Sequence, residues 1–166
     1  MAIRTKTEFT ALYGTSGTEF ADNTTGDITA ADQRAFGQDI ADSFSVGTAD
    51  TIQFIIDGGG SVIGTGIKGD IEVPFNCVIT QATALADQSG SIVIDIWKDT
   101  YANFPPTDAD SITASAPVTI SAATKSQDAT LIGWTPSLLR GAVLRYNVDS
   151  ASTLTRVTVS LQVTKV

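Results

Sequence analysis

The 166-residue sequence contains no histidine, one cysteine and no long apolar run. The absence of histidine excludes the Ser-His-Asp and Cys-His catalytic arrangements, and it removes the commonest metal ligand and general base. A zinc site would need several Cys or His ligands, and the chain offers only Cys77. A single cysteine cannot form an intrachain disulfide, and its strand-like surroundings predict a buried side chain. We therefore predict no catalytic residues, no metal site and no cofactor.

Positive charge is also scarce. The chain has 10 Lys and Arg residues, scattered along its length, against 18 Asp and Glu residues, and its formal net charge is −8. Binding to phosphates needs concentrated positive charge, so we predict no nucleic-acid partner. No segment approaches the roughly 20 apolar residues that span a bilayer, so no membrane insertion is expected. The first residues have charges but no apolar segment behind them, which argues against a secretion signal and predicts synthesis in a reducing cytoplasm.

The pattern of the sequence changes near Ser45. Residues 1–28 are polar and rich in Gly, Thr and Asn, and residues 29–44 have a helical pattern. The apolar residues of this helix recur at four-residue spacing: Phe36, Ile40 and Phe44. A helix of about 15 residues with one narrow apolar stripe is marginal alone and needs a partner surface, which its own β-domain, a sister chain or a larger assembly could supply. We predict that residues 1–48 form an attachment or oligomerisation leader, with this stripe as the candidate assembly interface.

From Thr51 onward the apolar residues alternate with polar ones. About eight short strands separated by turns, with no helical pattern between them, predict a mainly β fold: an antiparallel β-sandwich or barrel. The length fits an eight-stranded jelly roll, although other Greek-key sandwiches fit the same pattern. We predict a jelly-roll-like β-sandwich display domain over residues 49–166. Separate strands are expected at residues 78–85 and 91–97, with a further short strand at residues 130–132.

Two acidic patterns are alternatives to this non-enzymatic interpretation. Asp95 precedes Trp97 by two residues and Glu72 lies in another strand, which is compatible with a pair of glycosidase carboxylates. Outward-facing strand positions are usually solvated, however, and this favours a simple surface role for Asp95. Asp108 and Asp110 have a spacing that could bind calcium, but the segment lacks the Gly and the distal Glu of an EF-hand loop. We therefore predict neither catalysis nor metal binding.

Three aromatic residues at the end of one strand and in the loop after it are candidate ligand contacts: Trp97, Tyr101 and Phe104. Loops carry function more often than the scaffold beneath them, and exposed aromatic rings can stack on sugars or dock onto protein. The alternative is that Trp97 and Phe104 fold back and cap the open end of the sandwich. The sequence favours this second interpretation.

Several segments of the chain resemble a module found in structural proteins of tailed bacteriophages and prophages. These segments are GIKGDIEVPFNCVI (residues 66–79), ADQSGSIVIDIWKDTYANFPP (86–106) and LRYNVDS (144–150), followed by the alternating C-terminal strand. Together they cover most of residues 62–166. The leader, with FADNTTGDIT at residues 20–29 and the helix after it, resembles the start of many phage fibre and appendage proteins, in which this part lies on the virion-proximal side.

The resemblance implies a non-enzymatic virion structural protein, either a short fibre, a spike or a capsid decoration protein. Its partners would be other virion proteins of the capsid, neck or tail, and it would often be a homotrimer, which would bury the helical stripe against sister chains. No repeats or heptads of a shaft separate leader and module, which favours a short knob or head-surface protein. The alternative function is a module of a phage tail that binds host cell-surface glycan through the three aromatic residues.

Overall fold

The computed structural model describes residues 30–45 and 49–166, so the predicted leader lies outside the described residues apart from its helix. The chain divides into two units, residues 1–47 and 48–166. Within the described residues, the second unit contains seven strands and two short 3-10 turns. The strands are β1 (Ala49–Asp57), β2 (Gly66–Glu72), β3 (Cys77–Thr100), β4 (Val118–Asp128), β5 (Ser137–Leu138), β6 (Ala142–Ser152) and β7 (Arg156–Lys165), and the turns are Tyr101–Asn103 and Asp108–Asp110.

The helix of the first unit, α1, spans Ala30–Ser45 and lies within one residue of its predicted range at each end. Two residues of the predicted assembly interface, Phe36 and Ile40, are half-buried. The side chain of the third, Phe44, lies outside the described part of the chain. The role of this stripe as an interface stays a prediction.

The second unit is built on one antiparallel sheet with the order β1-β7-β3-β6-β2, in which β4 and β5 also pair with β3. The central strand β3 has 24 residues and serves two sets of neighbours. Its first half, Cys77–Ala86, pairs with β7, and its second half, Ser91–Thr100, pairs with β6. β4 pairs with both halves. Register shifts around Gly90 bend β3 between its halves, and the sheet curls as a result.

The prediction of two separate strands at residues 78–85 and 91–97 is wrong, because β3 runs through both. The turn-like residues between them form a bulge whose polar side chains bind the connection between β6 and β7. The Asp87 carboxylate accepts hydrogen bonds from the Thr155 hydroxyl and from the backbone N–H of Arg156, and these bonds lower the pKa of Asp87. Gln88 donates to the carbonyl of Thr153. Long-range partners thus hold an extended backbone where local sequence predicted a turn.

The strand predicted at residues 130–132 is also absent from the described residues, where these positions form a turn. The Asp128 carboxylate accepts hydrogen bonds from the Thr130 hydroxyl at 2.7 Å and from the Thr130 backbone N–H at 2.8 Å. Leu131 has a positive φ of 48°, which a strand does not allow. An Asp that binds the backbone two residues onward is a typical turn former. With the short strand β5, which the sequence pattern did not predict, the described residues contain seven strands instead of about eight.

The core fills the inner face of the curled sheet, as strict alternation predicts. The apolar residues that face inward from the last strand and from the second half of β3 are buried: Val157, Val159, Leu161, Val163, Ile92, Ile94 and Ile96. Cys77 is part of this core, as predicted, and burial raises the pKa of its thiol. The mainly β, antiparallel fold predicted from the sequence is confirmed.

Tyr146 on β6 is the largest fully buried side chain of the described core. Its ring stacks on Phe54 of β1, with ring centroids 4.3 Å apart and an interplanar angle of 5°. The Tyr146 hydroxyl has no hydrogen-bond partner among the described residues, and burial raises its pKa. A buried hydroxyl without a partner destabilises the folded state by about 1–3 kcal/mol.

We expect Tyr146→Phe to raise the free energy of unfolding by about 1 kcal/mol, because the variant keeps the ring stack and removes the unpaired hydroxyl. Chemical denaturation followed by circular dichroism measures the difference from the unchanged protein. The matched control is Tyr101→Phe at an exposed position, which should change the free energy of unfolding by less than about 0.5 kcal/mol. A loss of stability in Tyr146→Phe would show that the hydroxyl has a partner in solution.

Candidate ligand-contact surface

The candidate surface starts where β3 ends, at the loop that connects it to β4. The turn Asp108–Asp110 in this loop is closed by a capping box in which Thr107 donates its backbone N–H and its hydroxyl to Asp110, both at 2.8 Å. These two bonds lower the pKa of Asp110. The Asp110 carboxylate therefore stabilises its own turn. Within residues 30–45 and 49–166, no group of three or more His, Cys, Asp or Glu side chains could hold a metal ion.

The same loop is fastened to β3 by the buried carboxylate of Asp95. Its Oδ2 atom accepts the indole N–H of Trp97 at 2.7 Å. Its Oδ1 atom accepts the hydroxyls of Ser111, at 2.7 Å, and Thr113, together with the backbone N–H of Ile96 at 2.7 Å. The prediction that Asp95 faces solvent is wrong, because the loop covers this face of the strand. The carboxylate is fully engaged in fastening the loop.

A second fastening point is Arg145 on β6. Its guanidinium forms a bidentate ion pair with Asp70 of β2, with Nε–Oδ1 at 2.7 Å and Nη2–Oδ2 at 2.9 Å, and the hydrogen bond raises the pKa of Arg145. Nη1 donates to the carbonyl of Pro106 at 3.3 Å, and the guanidinium carbon lies 5.2 Å from the centroid of the Phe104 ring. This cation–π contact holds Phe104 on the outer face of the sheet.

The three candidate aromatics therefore occupy different environments. Trp97 is 9% exposed and its indole N–H is bound, so it belongs to the packed structure under the loop. Phe104 is 49% exposed, and Arg145 contacts its ring. Tyr101 is 82% exposed and has the most surface available to a ligand. The structure thus does not gather the three rings into one platform.

A groove of about 330 Å³ lies directly before Tyr101, between the end of β3 and the turn that leads into β6. Its lining residues are Lys98, Asp99, Thr100, Leu139, Arg140, Gly141 and Ala142. The backbone N–H of Arg140 donates to Asn76 Oδ1 at 2.8 Å, and that of Gly141 donates to the Val73 carbonyl at 2.8 Å. Gly141 has a positive φ of 83°, which favours glycine at this position. The turn that forms one wall of the groove is therefore firmly held.

Two polar side chains of the groove lining, Lys98 and Asp99, are held by their surroundings. Lys98 Nζ donates to the Ser137 carbonyl at 2.9 Å. Asp99 Oδ1 accepts the Thr100 backbone N–H at 2.6 Å and Asn103 Nδ2 at 3.1 Å. Lys98 and Asp99 are neighbours in β3, so their side chains point to opposite faces of the strand. The groove is lined by two basic residues and an apolar wall, and it can bind a small amphipathic molecule.

Sequence reasoning missed this groove because its two walls are about 40 residues apart in the chain. The available signals were the charged pair Lys98-Asp99 at the end of an apolar strand and the Leu139-Arg140-Gly141 turn before another strand. Neither signal indicates a site unless the pairing of β3 with β6 is known. Pairing places Thr100 opposite Ala142 and so brings the two walls together.

Comparison with known proteins adds no relative. No family model, no curated protein and no solved structure matches this chain. In the part of the chain that the structure describes, no helix combines the length and the apolar character needed to cross a membrane.

Proposed function

We propose that this chain is a non-enzymatic structural protein of a tailed-phage virion: a short fibre, spike or capsid decoration protein made in the host cytoplasm. Residues 1–48 attach it to other virion proteins of the capsid, neck or tail, and residues 49–166 are displayed. The sequence resemblance motivates this proposal. The observation that supports it is the core of the second unit, whose buried members among the described residues lie between Ile52 and Val163. A unit with an apolar core of its own can be mounted through a separate segment.

We further propose that the curled sheet is a jelly-roll-like sandwich. The stack of Phe54 on Tyr146 supports this, because it joins β1, at one end of the sheet order, to β6, near the other end. Contact between the inner faces of distant strands is typical of two packed layers. The bend of β3 at Gly90 is the point where one layer passes into the other.

The proposed oligomer is a homotrimer in which Phe36, Ile40 and Phe44 pack against sister chains. The three residues recur at four-residue spacing in the sequence, a pattern typical of residues that share one face of a helix. A marginal helix gains most of its stability from packing, and cyclic symmetry lets one apolar stripe meet its own copies.

Removal of residues 1–45 is expected to leave a folded, soluble β-unit that no longer enters particles. The measurement compares particles assembled with the full chain and with the truncated chain, using quantitative mass spectrometry of purified particles. Circular dichroism of the truncated chain confirms that its strands are intact. The matched control is Gln33→Ala at an exposed position of α1, which should enter particles normally. Normal incorporation of the truncated chain would contradict attachment through the leader.

A second candidate function is recognition of host cell-surface glycan by the displayed unit. The observation that favours it is the strongly exposed ring of Tyr101 directly after the groove residue Thr100. An exposed aromatic ring can stack on a sugar.

A further inference from the structure

We propose that the groove between the end of β3 and the turn before β6 binds an acidic saccharide, a sugar ring that carries a carboxylate. This inference rests on the second candidate function and gives it a site and a ligand class. It assigns binding to the groove residues instead of to Trp97 and Phe104, which the fold already uses to hold the loop.

The preference for an acidic ligand follows from the charges of the groove. Arg140 and Lys98 both line it, in a chain with only 10 basic residues and a net charge of −8. The Arg140 guanidinium has no ion-pair partner among the described residues, whereas Arg145 is paired with Asp70. A guanidinium can hold a carboxylate through two parallel hydrogen bonds. Arg140 is therefore the group we assign to the ligand carboxylate.

The polar groups beside Arg140 suit the hydroxyls of a sugar. Lys98 is the polar group we assign to them, because Asp99 points to the opposite face of β3. The Lys98 ammonium has donors beyond the one given to Ser137, and it can donate to a sugar hydroxyl. With two basic residues in its lining, the groove favours a negatively charged ligand.

The remaining walls suit the C–H face of a sugar ring. Leu139 is 68% exposed although it is apolar, and Ala142 and Gly141 complete a smooth wall beside it. Tyr101 follows the groove residue Thr100 immediately in the chain. The volume of about 330 Å³ lies at the lower end of the range of roughly 300–1,000 Å³ for small-molecule sites, which fits a ligand of one or two rings.

A groove of similar volume, about 320 Å³, lies on β3 and β4 but lacks this combination. It is lined by Thr83, Leu85, Lys125, Ser126 and Gln127. It offers one basic residue instead of two, and no arginine lines it. It therefore serves as an internal comparison for the proposed site.

The test is an NMR titration of the full isotope-labelled chain with two acidic probes, sialyllactose and digalacturonate, and with their neutral counterparts lactose and galactobiose. We expect saturable shifts of the amide signals of Thr100 and Gly141 with at least one acidic probe, with a Kd of about 1 mM or tighter. The matching neutral saccharide should bind at least about ten-fold more weakly, since it lacks the carboxylate that Arg140 holds.

Arg140→Gln should weaken binding of the acidic probe by about ten-fold or more and leave binding of its neutral counterpart unchanged. The matched control is Arg156→Gln on β7, an exposed arginine outside the groove, which should bind like the unchanged protein.

Equal binding of acidic and neutral probes would overturn the acidic preference. Shifts around Lys125 or Phe104 instead of the groove would overturn the site while leaving glycan recognition intact. No saturable shift with either acidic probe up to about 10 mM would overturn the inference, and the virion role is measured separately by incorporation.

Discussion

Replacement of Gly90 by alanine is expected to lower the free energy of unfolding by about 3 kcal/mol, because it overfills the bend of the central strand. A Cβ atom at this position would lie 2.5 Å from the Ser152 carbonyl oxygen and 2.7 Å from Leu154 Cδ2, and it would also meet the Thr153 hydroxyl. The Ser152 contact is with backbone, which cannot move aside as a flexible side chain could. β3 would have to straighten away from β6, so pairing on both sides of the bend would weaken.

Chemical denaturation of Gly90→Ala against the unchanged chain measures this loss. The matched control is Gly64→Ala, where the nearest atom to the new Cβ is Lys68 Nζ at an ordinary 3.9 Å. That variant should change the free energy of unfolding by less than about 0.5 kcal/mol. Similar stabilities for the two variants would show that the close approach of β3 to the start of the β6–β7 connection does not exist in solution.

Removal of the Asp95 carboxylate should have the second large effect. Asp95→Ala is expected to lower the free energy of unfolding by about 3 kcal/mol, because the indole N–H of Trp97 and the hydroxyls of Ser111 and Thr113 lose their shared acceptor under the loop. The loop should also become sensitive to limited proteolysis between residues 101 and 117. Denaturation and proteolysis followed by mass spectrometry measure the two effects.

Asp99→Ala is the matched control, because it removes a carboxylate from the same strand whose hydrogen bonds are exposed. It should lower the free energy of unfolding by less than about 1 kcal/mol. A double-mutant cycle of Asp95→Ala with Trp97→Phe should give a coupling energy of about 1 kcal/mol. In the Trp97→Phe variant there is no indole N–H for Asp95→Ala to leave unpaired. Additive effects of the two substitutions would contradict the hydrogen bond between Asp95 and Trp97.

The fold could be predicted wherever the conformation of a segment depends only on its own residues. The alternation of apolar and polar residues predicted which side chains of β7 and of the second half of β3 face the core, because each residue of a strand points to the opposite face from its neighbour. The pattern failed at residues 86–90, where Asp87 and Gln88 resemble a turn until their partners in the β6–β7 connection are known. It failed again at Leu131, where a hydrogen-bonding Asp128 outweighs the β propensity of its neighbours.

The candidate surface was harder to predict, because its chemistry depends on what covers each side chain. Alternation correctly put Asp95 on the face opposite Ile94 and Ile96, yet the loop that returns over this face buries it. Arg140 is one arginine among several in the sequence. Only its position in a turn beside the end of β3 distinguishes it from Arg145, which is paired with Asp70.

The central claim is that this chain is displayed on a virion by its β-unit and held by its leader. Electron cryo-microscopy of intact particles assembled with the chain tests this most directly, with mass spectrometry of the same particles to establish its presence. The account predicts density that fits residues 49–166 projecting a short distance from the capsid, neck or tail, with the side of Ala49 toward the particle. Particles that lack the chain, or density with the β-unit buried and the leader pointing outward, would contradict it.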